Sequence, residues 1–296
     1  MDLKKCEVFV RAIDTGSFSK AAEQSGYTPS GVAHMMNALE DEIGFPLLVR
    51  GHRGVTATEN GQKLLPILRE LLRWNEQFRQ TAAEINGLET GTVTIGAYSS
   101  IATHWLPKVI KAFREKYPHI EIHLMEGIRQ EVDGWLSERR VDLAFFSYQE
   151  PMPYEWIPLK TDPMLAVLPP EHPLAQLAAY PLSACQEEAF IMPALGKDDD
   201  VVDLLKKAGL TPQICFSTLE NYAALSMIEC GLGMSVMNEL ITKGRQNNVV
   251  MLPLDPPHSI TLGIAVPSIK AASPAVRKFI TYATRILKSD AGTIPL

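Results

Sequence analysis

The chain has 296 residues, 46% of them hydrophobic and 21% charged, with a formal net charge of −6. That length fits two domains, and the composition is ordinary for a soluble globular protein. No apolar run approaches the roughly 18 residues a membrane helix needs, and Glu7, Arg11 and Asp14 break the apolar core a signal peptide would require. No membrane partner and a cytoplasmic location are therefore expected. The four cysteines, Cys6, Cys185, Cys215 and Cys230, form no CxxC pair and have no histidine at metal-ligand spacing. They read as reduced and mostly buried, with a redox pair of Cys215 and Cys230 as the alternative.

The first helix is predicted from Asp2 to Ile13, where Leu3, Cys6, Phe9, Val10 and Ile13 form one apolar stripe. A second follows Ser17, from Phe18 to Gln24, and ends at Gly26, where a left-handed turn costs little. Thr28 is a candidate N-cap for a third, with Pro29 at the first helical position and Val32, Met35, Met36 and Leu39 as its core-facing and near-core stripe. Helices two and three, joined through Gly26, read as a helix-turn-helix. Two strand-prone stretches, Leu47 to Arg50 and Gly54 to Ala57, flank a Gly51-His52-Arg53-Gly54 tip and read as a hairpin, or wing.

Thr58 then caps a long helix in which Leu64, Leu68, Leu71, Asn75, Phe78, Ala82 and Ile85 recur at alternating steps of four and three. That spacing reads as a coiled-coil seam for a second copy, giving a homodimer or homotetramer; an amphipathic helix lying on its own domain is the other reading. Beyond Gly91, strand-like segments at Val93–Ala97, Ile120–Met125, Leu143–Ser147, Leu165–Leu168, Ala189–Met192, Ser235–Met237 and Ile260–Val266 alternate with helical ones at Ile101–Tyr117, Arg129–Glu138, Asp199–Ala208, Leu219–Cys230 and Pro274–Leu287. The alternation predicts an α/β domain with a parallel sheet. The proline-rich stretches Pro151–Pro158 and Pro253–Pro257 read as crossovers and loop edges.

These residues carry a resemblance. The run FVRAIDTGSFSKAAEQSGYTPSGVAHMMNALEDEIGFPLLVRGHRGVTATENGQKLLP is similar to the DNA-binding region of LysR-type transcriptional regulators, through GSFSKAAE, LEDEIGFPLLVR and TENG in order. The later segments VTIGAYSS, DLAFF, LAVLPPEHPLA and MIECGLGMSVM resemble the family's effector domain more loosely. The resemblance implies a winged helix-turn-helix over residues 1–58, a linker helix over 59–89 that pairs with its counterpart, and a two-lobed α/β domain of the type-two periplasmic-binding-protein fold over 90–296. It also implies a regulator rather than an enzyme, with double-stranded DNA and a small-molecule effector as partners.

A major groove about 12 Å wide admits one helix, whose exposed face reads base edges. On Pro29–Glu42 the family's usual Gln, Ser and Arg are replaced by Pro29, Ala33, His34 and Met35. Thr28, Ser30, His34 and Asn37 remain as candidate contacts, with Met35 against a thymine methyl and Lys4, Lys5, Lys20, Arg50 and Arg53 on phosphates. Residues 1–58 hold six Lys or Arg and seven Asp or Glu, a net of −1, where strong DNA modules show a basic excess.

Ser99 and Ser100 follow a strand and open a helix, a position that favours a carboxylate or another anion; simple N-capping is the alternative for either one. The resemblance places the pocket at these serines and Thr103, with Gly127, Ile128, Ser147 and the Pro193–Gly196 loop; Tyr148 and Asn221 are further polar candidates. No phosphate loop, HExxH or GxSxG is present, so no cofactor, metal or catalytic residue is expected. The competing readings are a small-molecule binding protein or enzyme of the same fold, and a redox sensor; the first 58 residues distinguish the first and the Cys215–Cys230 pair the second.

Overall fold

The computed structural model describes residues 2–51, 54–196, 199–244 and 248–289. It divides into two compact units, one running to Leu88 together with residues 138–140, the other comprising the rest from Glu89.

In the first unit, α1 (Leu3–Thr15), α2 (Phe18–Ser25) and α3 (Pro29–Ile43) are N-capped by Asp2, Ser17 and Thr28, whose side chains accept from the amides of Lys4, Lys20 and Gly31. Gly26 ends α2 at φ 70°, so the chain reverses into α3 within two residues. Phe9, Val32, Met36 and Leu39 pack together beneath Leu47 and Val55. The last two flank and enter an antiparallel hairpin, β1 (Leu48–Gly51) and β2 (Gly54–Ala57), with Leu48 opposite Ala57. Arg53, a candidate phosphate anchor, lies outside the described residues.

Thr58 starts α4 (Glu59–Ile85) by accepting from Gly61 N–H at 3.0 Å and donating to the Pro46 carbonyl at 2.9 Å. Here the expected seam is divided. Leu68 is buried in the helix-turn-helix core and Leu64 is half-buried against it, because three short helices and a hairpin need the first turns of α4 to close their apolar side. Buried Arg69 reaches from α4 to the Asp14 carboxylate. The large apolar side chains left exposed on α4 are Ile67, Trp74, Phe78 and Ile85, a row rotated from the expected one and sharing Phe78 and Ile85 with it. Leu71, Asn75 and Ala82 are half-buried.

The second unit opens with β3 (Gly91–Ala97), α5 (Ser99–His104), α6 (Leu106–Lys116), β4 (Ile120–Glu126), α7 (Arg129–Ser137) and β5 (Leu143–Ser147). The single helix expected over 101–117 is broken between α5 and α6, with Pro107 in the first turn of α6. Strand β3 lies between β4 and β5, parallel to both, so their carboxyl ends share one edge.

Strand β6 (Glu155–Leu168) and β7 (Tyr180–Pro181) follow, then β8 (Ala189–Met192), α8 (Asp199–Ala208), β9 (Gln213–Ser217) and α9 (Asn221–Glu229). The chain finishes with β10 (Ser235–Asn238), α10 (Glu239–Thr242), β11 (Val250–Asp255), β12 (Ser259–Val266) and α11 (Pro274–Ser289). Strand β6 joins two lobes. Its first part pairs with β12, next to β5, while Met164–Leu168 lie between β10 and β11, and β8 pairs with β9 in a separate parallel pair.

The sheet is therefore mixed rather than parallel, since β10, β11 and β12 all run antiparallel to β6. The Pro151–Pro158 stretch runs into a strand because Pro158 sits at a bulge, where a missing N–H breaks no regular ladder. Cys6 and Cys185 are buried as expected, and burial pushes the Cys185 thiol up to about 11. Cys215 and Cys230 are free and exposed, contrary to the reading of a mostly buried set, because strand β9 and the end of α9 carry them to the surface.

A Cβ on Gly61 would lie 2.2 Å from the Leu47 carbonyl oxygen. The backbone of α4 approaches the start of the wing that closely only without a side chain. Gly61→Ala should cost about 1–3 kcal/mol in urea unfolding of the full chain, as overpacking does elsewhere; an unchanged midpoint would contradict this packing.

Candidate functional site

On α3, Ser30, His34 and Asn37 fall at i, i+4 and i+7 and are all exposed, so they share one face. The Thr28 hydroxyl caps the helix and sits 3.1 Å from that of Ser30. Asn37 is already engaged, its Oδ1 accepting from Arg50 Nη2 at 2.5 Å. Arg50 also approaches Glu40 at 3.5 Å and lies over the Phe18 ring, so it clasps the wing to α3. Met35, read both as part of the near-core stripe and as a possible thymine-methyl contact, packs against the core.

Two of the three acids at the end of α3 are engaged internally, and Asp41 is exposed. Glu40 Oε1 accepts from the amides of Leu47 and Leu48, and Glu42 pairs with Lys5 at 3.3 Å. Lys4 and Lys20 are exposed and form no ion pair among the described residues, which leaves them as the cations available to phosphate. Tyr27, exposed in the turn before α3, escaped the sequence reading; an aromatic one residue ahead of the N-cap was its only signal.

In the second unit a cavity lies beyond the carboxyl ends of the parallel strands of both lobes, the place where such sheets hold ligands. With its mouth it encloses about 740 Å³ of free space. One lobe contributes Tyr98 and Ser99 after β3 and the Gly127–Arg129 turn after β4; the other contributes Asp199 and Asp200 from α8 and the Leu219–Tyr222 segment that starts α9. Asn238, at the end of β10, is held by donating to the buried carboxylate of Asp162, which also accepts from the Leu240 amide.

Ser147 is the hub of this wall. It is fully buried, its carbonyl and hydroxyl accept from Arg129 Nη1, and its Oγ lies 3.1 Å from the Tyr98 hydroxyl. The Arg129 guanidinium lies 4.1 Å from the Phe146 ring centroid. Glu131 accepts from the Ile128 amide at 3.1 Å, a reciprocal cap that fixes Arg129 as the first residue of α7. Across the cavity, Asp200 accepts from Gln149 Nε2 at 2.8 Å. Burial pushes its carboxyl above the ordinary aspartate value; bonds from Gln149 and Ser147 and the charge of Arg129 pull the other way.

The expected effector contacts divide accordingly. Ser99, Ser100, Ile128 and Asn221 line the cavity, whereas Ser147 stands behind Arg129 and Thr103 is exposed on the outer side of α5. Tyr148 is exposed and away from the lining. Neither serine caps α5; Tyr98 occupies that position. Arg129, Asp199, Asp200 and Glu220 were missed. An arginine at a helix's first position, where the dipole disfavours a cation, was the legible signal for Arg129. Among the described residues, no group of three His, Cys, Asp or Glu could hold a metal ion, and no helix is long and apolar enough to cross a membrane.

A winged helix-turn-helix on one unit and a cavity between the lobes of the other are the parts of a DNA-binding regulator with a separate ligand domain. Residues 3–62 match the bacterial regulatory helix-turn-helix protein, lysR family, and residues 86–288 match the LysR substrate binding domain. The chain belongs to the LysR family of transcriptional regulators. It is 35% identical to YvbU, an uncharacterized HTH-type transcriptional regulator of Bacillus subtilis strain 168, over 98% of this chain and all of that protein. In fold it resembles a full-length OxyR variant from Pseudomonas aeruginosa (TM-score 0.73, 20% identity, 97% and 98% of the two chains). It also resembles the effector binding domain of QuiR in complex with shikimate (TM-score 0.61, 22% identity, 68% and 98%).

Because folded Asp200 holds its proton more tightly than the unfolded chain does, stability falls as pH rises from about 3.9 through the raised folded value, and the full penalty stands at neutral pH. Asp200→Asn should therefore raise the melting temperature at pH 7, with the gain vanishing below about pH 3.9. A variant less stable than the parent at pH 7 would contradict this assignment.

Proposed function

We propose that this regulator acts in the cytoplasm as a pair of chains joined through α4, reads DNA with α3, and takes a small carboxylate-bearing metabolite in the second unit's cavity. The observation that carries the ligand reading is Arg129, only 9% exposed and yet lining the cavity with Nε and Nη2 free of hydrogen bonds among the described residues. A buried guanidinium with unused donors is a seat for a carboxylate. The shikimate in QuiR, itself a small carboxylate, is consistent with this reading.

Pairing is supported by the exposed row on α4, where Phe78 is 73% and Ile85 81% exposed; contiguous apolar surface of that kind is rare on monomers. His34, and Ser30 with its hydroxyl beside that of Thr28, are the polar readers on α3, and Lys20 is an available phosphate anchor near the start of α2. Few contacts per chain make two-chain avidity the source of affinity.

The test is a footprint on the DNA upstream of the protein's own coding region, with binding measured across a salt series. Protection is expected. Lys20→Ala should weaken binding at all sequences and lower the salt slope by about 0.9, one phosphate contact. Phe78→Glu should shift the mass in solution toward one chain and weaken DNA binding by at least about tenfold. No protection at any salt, or full affinity in a monomeric Phe78→Glu variant, would overturn the reading.

A further inference from the structure

The cavity holds charges of both signs that form no direct ion pair among the described residues. On one lobe Arg129 commits Nη1 to Ser147 and stacks on Phe146, leaving its other donors toward the free space. On the other, Asp199 opens α8, lines the same cavity, and accepts no hydrogen bond among the described residues. The two form no ion pair with each other. Burial raises the Asp199 carboxyl above its ordinary value; the charge of Arg129 opposes this, and Asp203 and Asp133 add to it.

A carboxylate in the first turn of a helix is common, because the helix dipole favours it. That accounts for an acid on α8 but not for its facing a cavity whose opposite wall carries a half-used guanidinium. Asp200, by contrast, is already bonded to Gln149, so Asp199 is the acid left to be answered. Counting Glu220 with these two aspartates, the described lining has three carboxylates and one guanidinium. A simple anion entering there meets net repulsion, whereas a molecule carrying both charges meets none.

The geometry points to a zwitterionic effector of the amino-acid class, its carboxylate on Arg129 and its ammonium on Asp199. This rests on the cavity being the ligand site, the reading given above. The ammonium replaces the water lost by Asp199, and the carboxylate takes up the donors that Ser147 leaves free on Arg129. Asn221, a neutral amide on the same wall, remains for the ligand's side chain.

The experiment uses the full chain and a thermal-shift panel of the twenty proteinogenic amino acids at millimolar concentration, each beside the hydroxy acid and the amine of the same skeleton. One or a few amino acids should raise the melting temperature, as a ligand that binds only the folded state must. Their counterparts lacking either charge should bind at least about tenfold more weakly, the scale of one hydrogen bond to a charged group. Asp199→Asn, which keeps a residue suited to a helix start, should cost a similar factor. The proposal is overturned if a hydroxy acid binds as tightly as its amino acid, if Asp199→Asn leaves affinity unchanged, or if no amino acid binds. Ser99→Trp separates the two ideas: it fills the cavity mouth, so amino-acid binding that survives it would overturn the cavity reading itself, while a charge-blind ligand lost on Ser99→Trp overturns only the zwitterion.

Discussion

A buried guanidinium is costly wherever its donors go unanswered, and the second unit answers Arg129 on one side only, at Ser147 and Phe146, while its other side lines the cavity. It occupies the first position of α7, where the helix's own dipole works against it. The opposing contributions are the Ser147 carbonyl and hydroxyl, the face of Phe146 and the acids across the cavity. Removing one hydrogen-bond partner of such a charge leaves a buried donor unanswered, a loss of about 1–3 kcal/mol or more. The strand order brings these groups together, because β3, β4 and β5 run parallel and end along one edge. Strand β6 carries the sheet into the lobe that supplies the acids.

The same economy of polar groups governs the first unit. Its acidic balance looked unfavourable for DNA, yet Glu40 and Glu42 are spent on the wing amides and on Lys5, and Arg50 is spent on Asn37. The uncommitted polar groups outward on α3 are few, Ser30, His34 and Asp41, and Thr28 before it serves as the N-cap. A reading face this sparse suits recognition by two copies sharing the work, which is the arrangement the exposed row on α4 favours.

Much of the first unit could be read directly from residue order, because Asp, Ser and Thr caps, a left-handed Gly26 and the apolar spacing of α1 to α3 all agree. The face of α4 could not. Two neighbouring stripes share Phe78 and Ile85, and periodicity alone does not say which one the domain's own core takes; burial of Leu68 decides it. Strand direction was equally hidden, since a strand's alternation is the same in parallel and antiparallel pairs, and prolines masked the start of β6 until its bulge was seen. At the cavity the hydroxyl-bearing helix start at Ser99 was found, whereas the charged groups were missed because their partners are far apart in sequence: Arg129 meets Ser147, and Gln149 meets Asp200.

If the cavity governs DNA binding, ligand and DNA must each change the other's affinity by the same factor. The direct measurement is to titrate a small molecule that raises the melting temperature into the free protein and again into its DNA complex. Affinities differing by about 5- to 150-fold, the usual span for coupled sites, are expected. Equal affinities in the two titrations would mean the cavity exerts no control over DNA, contradicting the account.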